Sequence, residues 1–186
     1  MSLAQPSLKI QKSTLRTQSR KLKLSKAVRR ARSLKVCLKI ETSHFFKNAK
    51  VRGFYAALPD EIDVFFIAEK ALRLGKKVFF PKMRGNQIEF FEVSDLQNGF
   101  KSGKHGVMEP ASKNGAKRKR ALDLVLVPGR AFDKKGVRLG RGGGHYDRLL
   151  EKWPASVRIG VAFREQIVSA VPREAHDIVM DAVIAA

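Results

Sequence analysis

Residues Leu124–Leu150 read LVLVPGRAFDKKGVRLGRGGGHYDRLL, and the succession of residue types in that stretch decides the fold class. The apolar run within Asp123–Val127 predicts a short strand buried on both faces, as at the centre of a parallel sheet. Pro128-Gly129 ends it, and a loop follows with glycines at 140, 142, 143 and 144. A short helix is expected at about His145–Lys152. Ligands of open α/β sheets bind outside the carboxyl ends of the strands, so this strand–loop–helix unit is where a site is expected.

Working outward, the pattern alternates. Ahead of the loop, strands are expected at Val51–Ala56, Lys77–Phe80 (stopped by Pro81) and Ile88–Val93, with a helix at Asp63–Leu74 ended by Gly75. Beyond it come a strand at Val157–Ala162 and a last apolar piece at Asp181–Ala185. Lys101–Arg120, with its glycines, its proline and the run Lys117-Arg118-Lys119-Arg120, has no apolar period and reads as a surface loop. The first fifty residues read as two basic helices, Lys9–Leu24 and a second capped by Ser25. The fold class that results is α/β. It is a single three-layer domain over 1–186, with a central, mainly parallel sheet flanked by helices, a basic helical amino terminus and a loose tail at 1–8.

The loop residues suit an anionic ligand. Glycines let backbone amides approach a phosphate closely, and the following helix start adds unpaired N–H groups. Arg138 and Arg141 carry planar, permanently charged forks that match phosphate or carboxylate oxygens. Asp147, just inside the helix, can hold a Mg²⁺ that bridges phosphate oxygens. The string is not a Walker loop, since no Gly-Lys-Ser/Thr follows, and its spacing does not fit the dinucleotide fingerprint.

Composition narrows the remaining classes. Lys plus Arg number 38 against 17 Asp plus Glu, a net charge of +21 that favours polyanionic ligands without choosing among them. Cys37 is the only cysteine, so no internal disulfide can form; a small buried apolar role and a reducing compartment fit it. No apolar run approaches the ~20 residues of a membrane-spanning helix. The four histidines show no zinc-ligand spacing.

The segment Pro128-Gly129-x-Ala131-Phe132-Asp133-x-x-Gly136-x-Arg138-Leu139-Gly140-Arg141-Gly142-x-Gly144-x-Tyr146-Asp147 resembles the 5-formyltetrahydrofolate cyclo-ligases, also called methenyltetrahydrofolate synthetases. Further landmarks match in order. They are Lys12-x-x-Leu15-Arg16, Glu61-Ile62-Asp63, Val78–Pro81, Gly106–Pro110, and then Pro172, Glu174, His176, Asp177 and Asp181. The acid-poor amino terminus also resembles an organelle transit peptide, but cleavage there would remove Lys12 and Arg16.

The resemblance implies ATP- and Mg²⁺-dependent cyclisation of 5-formyltetrahydrofolate to 5,10-methenyltetrahydrofolate, with release of ADP and phosphate. It assigns Lys12, Arg16 and the run Arg138, Leu139, Gly140, Arg141, Gly142, Gly143, Gly144, His145 and Tyr146 to ATP. Asp147 and Asp181 are assigned to Mg²⁺. Glu61, Arg141 and Tyr146 go to the folate, and Arg141 and Tyr146 are the catalytic candidates at the nucleotide–folate junction. His176-Asp177 is expected to be a structural hydrogen-bonded pair. Three positions depart from the family pattern. Val64 stands for threonine, with loss of a hydroxyl expected near the folate side. His145 stands for an aromatic hydroxyl, and Gly143 stands where some members carry lysine. The expected partner is a small-molecule folate, with no specific nucleic acid and no membrane, in a cytoplasmic monomer or weak dimer. Two alternatives stay open: a basic nucleic-acid-binding protein on this fold, and a folate-binding relative with weakened catalysis.

Overall fold

Seven strands build the main sheet of the computed structural model, in the order β12 (Ala182–Ala185), β10 (Val157–Ala162), β7 (Leu124–Pro128), β1 (Val51–Gly53), β2 (Lys77–Arg84), β3 (Gln87–Glu92) and β6 (Arg118–Lys119). The structure describes residues 6–186 apart from 21, 23, 104–105, 112–117 and 120. From β12 to β2 every pairing is parallel; β2–β3 and β3–β6 are antiparallel. The sheet is thus mainly parallel, and β7 lies inside it with Leu124–Val127 fully buried.

Period-2 alternation divides the core between the two faces of the sheet. Leu124 and Leu126 of β7, Ile159 and Val161 of β10, and Val78 and Phe80 of β2 face one helical layer. That layer holds Val36, Cys37 and Ile40 of α2 (Lys26–Thr42) and Ile67, Ala68 and Ala71 of α4 (Phe65–Arg73). The intervening residues Val125, Val127, Phe79 and Ala162 pack on the other side against Leu149, Leu150 and Trp153, from and just beyond α5 (His145–Glu151). Cys37 is a core residue, and burial pushes its thiol up to about 12, so it stays protonated and inert at neutral pH.

Local chemistry sets the boundaries. Ser25 caps α2 by accepting from the Val28 amide at 3.3 Å. The amino-terminal helix α1 runs only over Leu8–Ser19, short of the expected Leu24, and α3 (His44–Asn48) adds one turn after α2. The helix expected from Asp63 begins at Phe65, whose amide donates to Asp63 Oδ1 at 3.0 Å.

Two expectations are corrected. Pro81 does not stop β2, which continues to Arg84. Phe79 O points toward β1 and accepts from Phe54 N, whereas Val78 O points toward β3 and accepts from Val93 N. Pro81, two residues after Phe79, therefore turns its missing N–H toward β1, whose pairing has already ended at the Gly53–Phe79 partners. The ladder loses no bond. The expected loop over 101–120 contains backbone-paired pieces, β4 (Phe100–Ser102) against β5 (Met108–Pro110) and the edge strand β6. Lys117 and Arg120 of the basic run lie outside the described residues.

After β7 the chain forms a small second sheet of β8 (Ala131–Asp133), β9 (Arg138–Leu139) and β11 (Ile167–Val168). Buried Asp133 organises it. Its Oδ1 accepts from Lys135 N at 2.9 Å and Val137 N at 3.0 Å, while Oδ2 accepts from Val171 N at 3.1 Å. Gly136, at φ +81°, makes the turn; a Cβ there would lie 2.4 Å from Met180 O.

Candidate active site

A cavity of about 1160 Å³ opens at the carboxyl ends of β1, β2 and β7. The segment after β1 contributes Tyr55, Leu58 and Glu61, β2 contributes Pro81–Met83, and β7 contributes Pro128 with Gly129. The whole run Arg138–Asp147 forms one wall, α1 brings Lys12 and Arg16 across from it, and the turn at Glu174, His176 and Asp177 closes that side. The structure thus brings together Lys12, Arg16, Glu61 and every loop residue singled out in the sequence, with one exception. Asp181 does not line the cavity. It accepts from Arg158 N at 2.7 Å and Nε at 3.2 Å at the edge between β10 and β12.

Backbone geometry explains two of the loop's glycines. Gly142 has φ +108° and Gly144, the residue before α5, has φ +62°, in the region that side-chain-bearing residues avoid. Gly140 and Gly143 have ordinary backbone angles, and what lies against them is the ends of side chains. A Cβ at 140 would meet Arg138 Nη1 at 2.8 Å, and one at 143 would meet His145 Nε2 at 2.6 Å. The imidazole therefore covers Gly143. Its Nδ1 lies 3.0 Å from Arg148 Nη2, which can only donate, so in the neutral ring Nδ1 accepts and Nε2 carries the proton.

The cations of the wall are held by carboxylates. Arg138 Nη2 donates to Asp147 Oδ2 at 2.7 Å, and its guanidinium lies 5.7 Å from the Tyr146 ring centre. The Arg138 Nε is buried with no hydrogen-bond partner. Arg141 donates to Glu61 Oε1 from Nε at 3.2 Å and Nη2 at 2.9 Å, and also to Asp60. Burial works against the Arg141 charge, but Glu61 and Asp60 outweigh it and raise the pKa. Arg16 Nε donates to Gly140 O at 3.0 Å, tying α1 to the loop. Lys12, only 4% exposed, donates to Glu174 at 2.7 Å and to Asp177. Burial opposes its charge too, and the two carboxylates reverse that shift, so Lys12 titrates above an ordinary lysine.

Two expected contacts come out differently. His176 and Asp177 are not hydrogen-bonded: His176 Nε2 stays 3.8 Å from Asp177 Oδ1 with its side chain 72% exposed, and Asp177 instead bonds Lys12 and Glu174 N. Val64 is fully buried in the core beside Ile67, so the missing hydroxyl is not missed by the cavity. Glu174, His176 and Asp177 approach one another closely enough to suggest a metal cluster, but the Lys12 ammonium already answers both carboxylates.

The cavity also holds groups that sequence reasoning missed. Buried Lys82 donates to Pro110 O at 3.1 Å, and burial followed by repulsion from Lys101 and Arg84 lowers its pKa. Buried Glu109 accepts from Met83 N at 3.2 Å. Glu109 had a signal, its place in Gly106–Pro110; Lys82 had none. Burial in the wall raises the Tyr146 phenol, and neighbouring Glu61 adds to the shift, so it remains an O–H at neutral pH.

Fold and site together define an α/β protein with a cation-lined ligand cleft at the carboxyl ends of its parallel strands. A model of the 5-formyltetrahydrofolate cyclo-ligase family matches residues 8–186, and the chain belongs to that family. A Caenorhabditis elegans relative named "Probable 5-formyltetrahydrofolate cyclo-ligase" is 33% identical over 175 residues, covering 87% of this chain and 85% of the relative. The 5-formyltetrahydrofolate cyclo-ligase of Mus musculus is 28% identical over 178 residues, with the same two coverages. Among solved structures, the Aquifex aeolicus 5,10-methenyltetrahydrofolate synthetase superposes with a TM-score of 0.82 at 33% identity, covering 94% of this chain and 89% of that one. The Mycoplasma pneumoniae 5,10-methenyltetrahydrofolate synthetase shares the fold at a TM-score of 0.68 and 20% identity.

Proposed function

We propose that the chain is the ligase its family name describes. It converts 5-formyltetrahydrofolate and ATP into 5,10-methenyltetrahydrofolate, ADP and phosphate. The observation that carries this reading is the convergence of Lys12, Arg16, Glu61 and Arg138–Asp147 on one cavity. The chemistry needs charge neutralisation and positioning more than covalent catalysis. The formyl oxygen of the folate attacks the γ-phosphorus of ATP and ADP leaves; N10 then closes on the activated carbon, loses its proton, and phosphate departs.

Lys12, Arg16, Arg138 and the amides of Gly140–Gly144 hold the polyphosphate. Arg141 sits beside the nucleotide on one side and Glu61 on the other, so its charge can follow the transferred phosphoryl group. Glu61 accepts from the amino and ring N–H groups of the pterin. Tyr146, kept protonated, supplies a hydroxyl at the junction. His145 offers its Nε2–H over Gly143. Mg²⁺ fits at Asp147. One carboxylate oxygen there bonds Arg138, while the other has only a 3.4 Å contact with Ile178 N and retains acceptor capacity toward the cavity. The ion would neutralise phosphate oxygens there. Asp181, held by Arg158, is left out of that set.

The folate is the only partner this reading requires, and it suits a cytoplasmic monomer or weak dimer. Among the described residues no helix is long and apolar enough to cross a membrane. A nucleic-acid role has behind it only the net charge and the basic run of residues 117–120. The test is formation of 5,10-methenyltetrahydrofolate from 5-formyltetrahydrofolate, ATP and Mg²⁺, followed by absorbance. Turnover that requires all three supports the reading, and folded protein without turnover removes it. Folate-binding calorimetry beside the turnover assay separates the enzyme from a relative that only binds.

A further inference from the structure

Arg141 reaches into the cavity, but what aims it lies behind the wall. Asp60 is not a cavity residue. One of its carboxylate oxygens accepts from Arg141 Nη2 and the other from Arg130 Nη1. The Asp60 backbone is fixed as well. Buried Gln166 donates from Nε2 to Asp60 O at 3.4 Å and to Gly129 O at 3.0 Å, while its Oε1 accepts from Phe163 N at 2.8 Å. Segments following β1, β7 and β10 are thereby locked to one another at the point where Asp60 grips Arg141. Arg130, 14% exposed at its side chain, follows Gly129 directly and has no contact with the cavity.

We propose that Asp60 is a positioning residue for the cyclo-ligase reaction, held by Arg130 and Gln166 so that Arg141 keeps the orientation phosphoryl transfer needs. This rests on the activity proposed above. Glu61 alone cannot do the same work, because it must turn to the pterin when folate binds; Asp60 is the partner Arg141 keeps throughout the cycle. The pair Arg130–Asp60 also adds no net charge beside a site that must attract a polyanion. Arg130 feels burial first and then repulsion from Arg141, both of which lower its pKa, and Asp60, followed by Glu61, opposes this.

Charge and geometry then predict opposite effects in one variant. Asp60→Asn keeps the size of the side chain but removes a negative charge next to the nucleotide site, so KM for ATP should stay level or fall. Arg141, no longer gripped, should lose aim, and kcat should drop at least tenfold. Loss of mere structural support would instead lower thermal stability and the active fraction, with kcat per folded site unchanged. Arg130→Met should reproduce the fall in kcat, and the double variant should be no worse than the poorer single one, because both act through the same carboxylate.

The experiment measures kcat and KM for ATP in wild type and the three variants, with active sites counted by nucleotide titration. Wild-type protein without turnover would sink the proposed activity and is recorded first. Active wild type with Asp60→Asn inside twofold in kcat, or single effects that multiply in the double variant, would overturn the role of Asp60. Should Asp60→Asn fail to fold, Arg130→Met carries the same test alone. In that variant a tenfold lower kcat at saturating ATP supports the role, and normal kcat ends it.

Discussion

Replacing Lys12 by Met, a side chain of similar length without the charge, exposes how α1 is attached. Lys12 is the one buried residue of α1, and Arg16 to Gly140 O is its other polar tie to the loop. Removing the ammonium leaves Asp177, with its side chain 11% exposed, only the Glu174 amide. Breaking a fully buried pair costs about 3–5 kcal/mol. Here Asp177 keeps one bond and some water, so the expected loss is about 2–3 kcal/mol, or roughly 4–12 °C in Tm for a chain of this size.

The sign with pH follows from the shifts. For Asp177, burial raises the pKa, and the bond to Lys12 with the Glu174 amide more than reverses it; for Glu174 the Lys12 bond lowers it outright. Depressed carboxylates stabilise the fold above their unfolded values and lose that contribution as pH falls through the folded ones. Raised Lys12 stabilises below its unfolded value and loses the contribution as pH climbs through the folded one. The gap between wild type and Lys12→Met is therefore widest between about pH 5 and pH 10, and closes toward about pH 3. Urea denaturation at pH 7 and at about pH 3.5 measures it. Local undocking of α1 would escape a global unfolding curve, so limited proteolysis between α1 and α2 is read alongside. A gap under about 0.5 kcal/mol at pH 7 with unchanged proteolysis, or an equal gap at both pH values, would refute the reasoning.

Arg141→Ala should cut turnover by about 10²–10³ while leaving Tm within a few degrees, since its side chain is 38% exposed; steady-state kinetics beside a melting curve check it. Gly136→Ala combines φ +81° with a 2.4 Å approach to Met180 O, and a loss of more than about 3 kcal/mol is expected in a denaturant titration. Cys37, with its thiol at about 12, should resist iodoacetamide at pH 8 in the native protein and react fully once unfolded, as mass spectrometry would report.

What the sequence revealed, it revealed through periodicity and local chemistry. The buried strand ending near Pro128 carries an unbroken apolar run, Val157, Ile159 and Val161 alternate about Arg158 and Gly160 in the next strand, and Ser25 announces α2 by a side chain that needs no tertiary partner. Glycines 142 and 144 mark backbone conformations that composition alone exposes. What stayed hidden depends on contacts distant in the chain. Pro81 reads as a stop because the sequence does not show that its absent N–H faces β1 beyond the last β1–β2 pair. Strands β4 and β5, three residues each, have too little length for a period to register. Lys12 lies in an acid-poor basic helix whose pattern shows nothing of burial, and only residues some 165 positions later make it a buried ion-pair partner. Val64 shows the reverse error. Its place beside Glu61 suggested the ligand, but the chain turns it into the core. Asp60 gave no signal at all, since its role arises from two arginines brought together by the small sheet after β7.

The most direct measurement is a structure of the protein with a non-hydrolysable ATP analogue and Mg²⁺. The account predicts the γ-phosphate over the amides of Gly140–Gly144, within reach of Lys12 and Arg138, and the metal on Asp147. A nucleotide lodged elsewhere, for instance in the groove of about 690 Å³ between α2 and α4, or a metal on Asp181 with Asp147 still bound to Arg138, would contradict it.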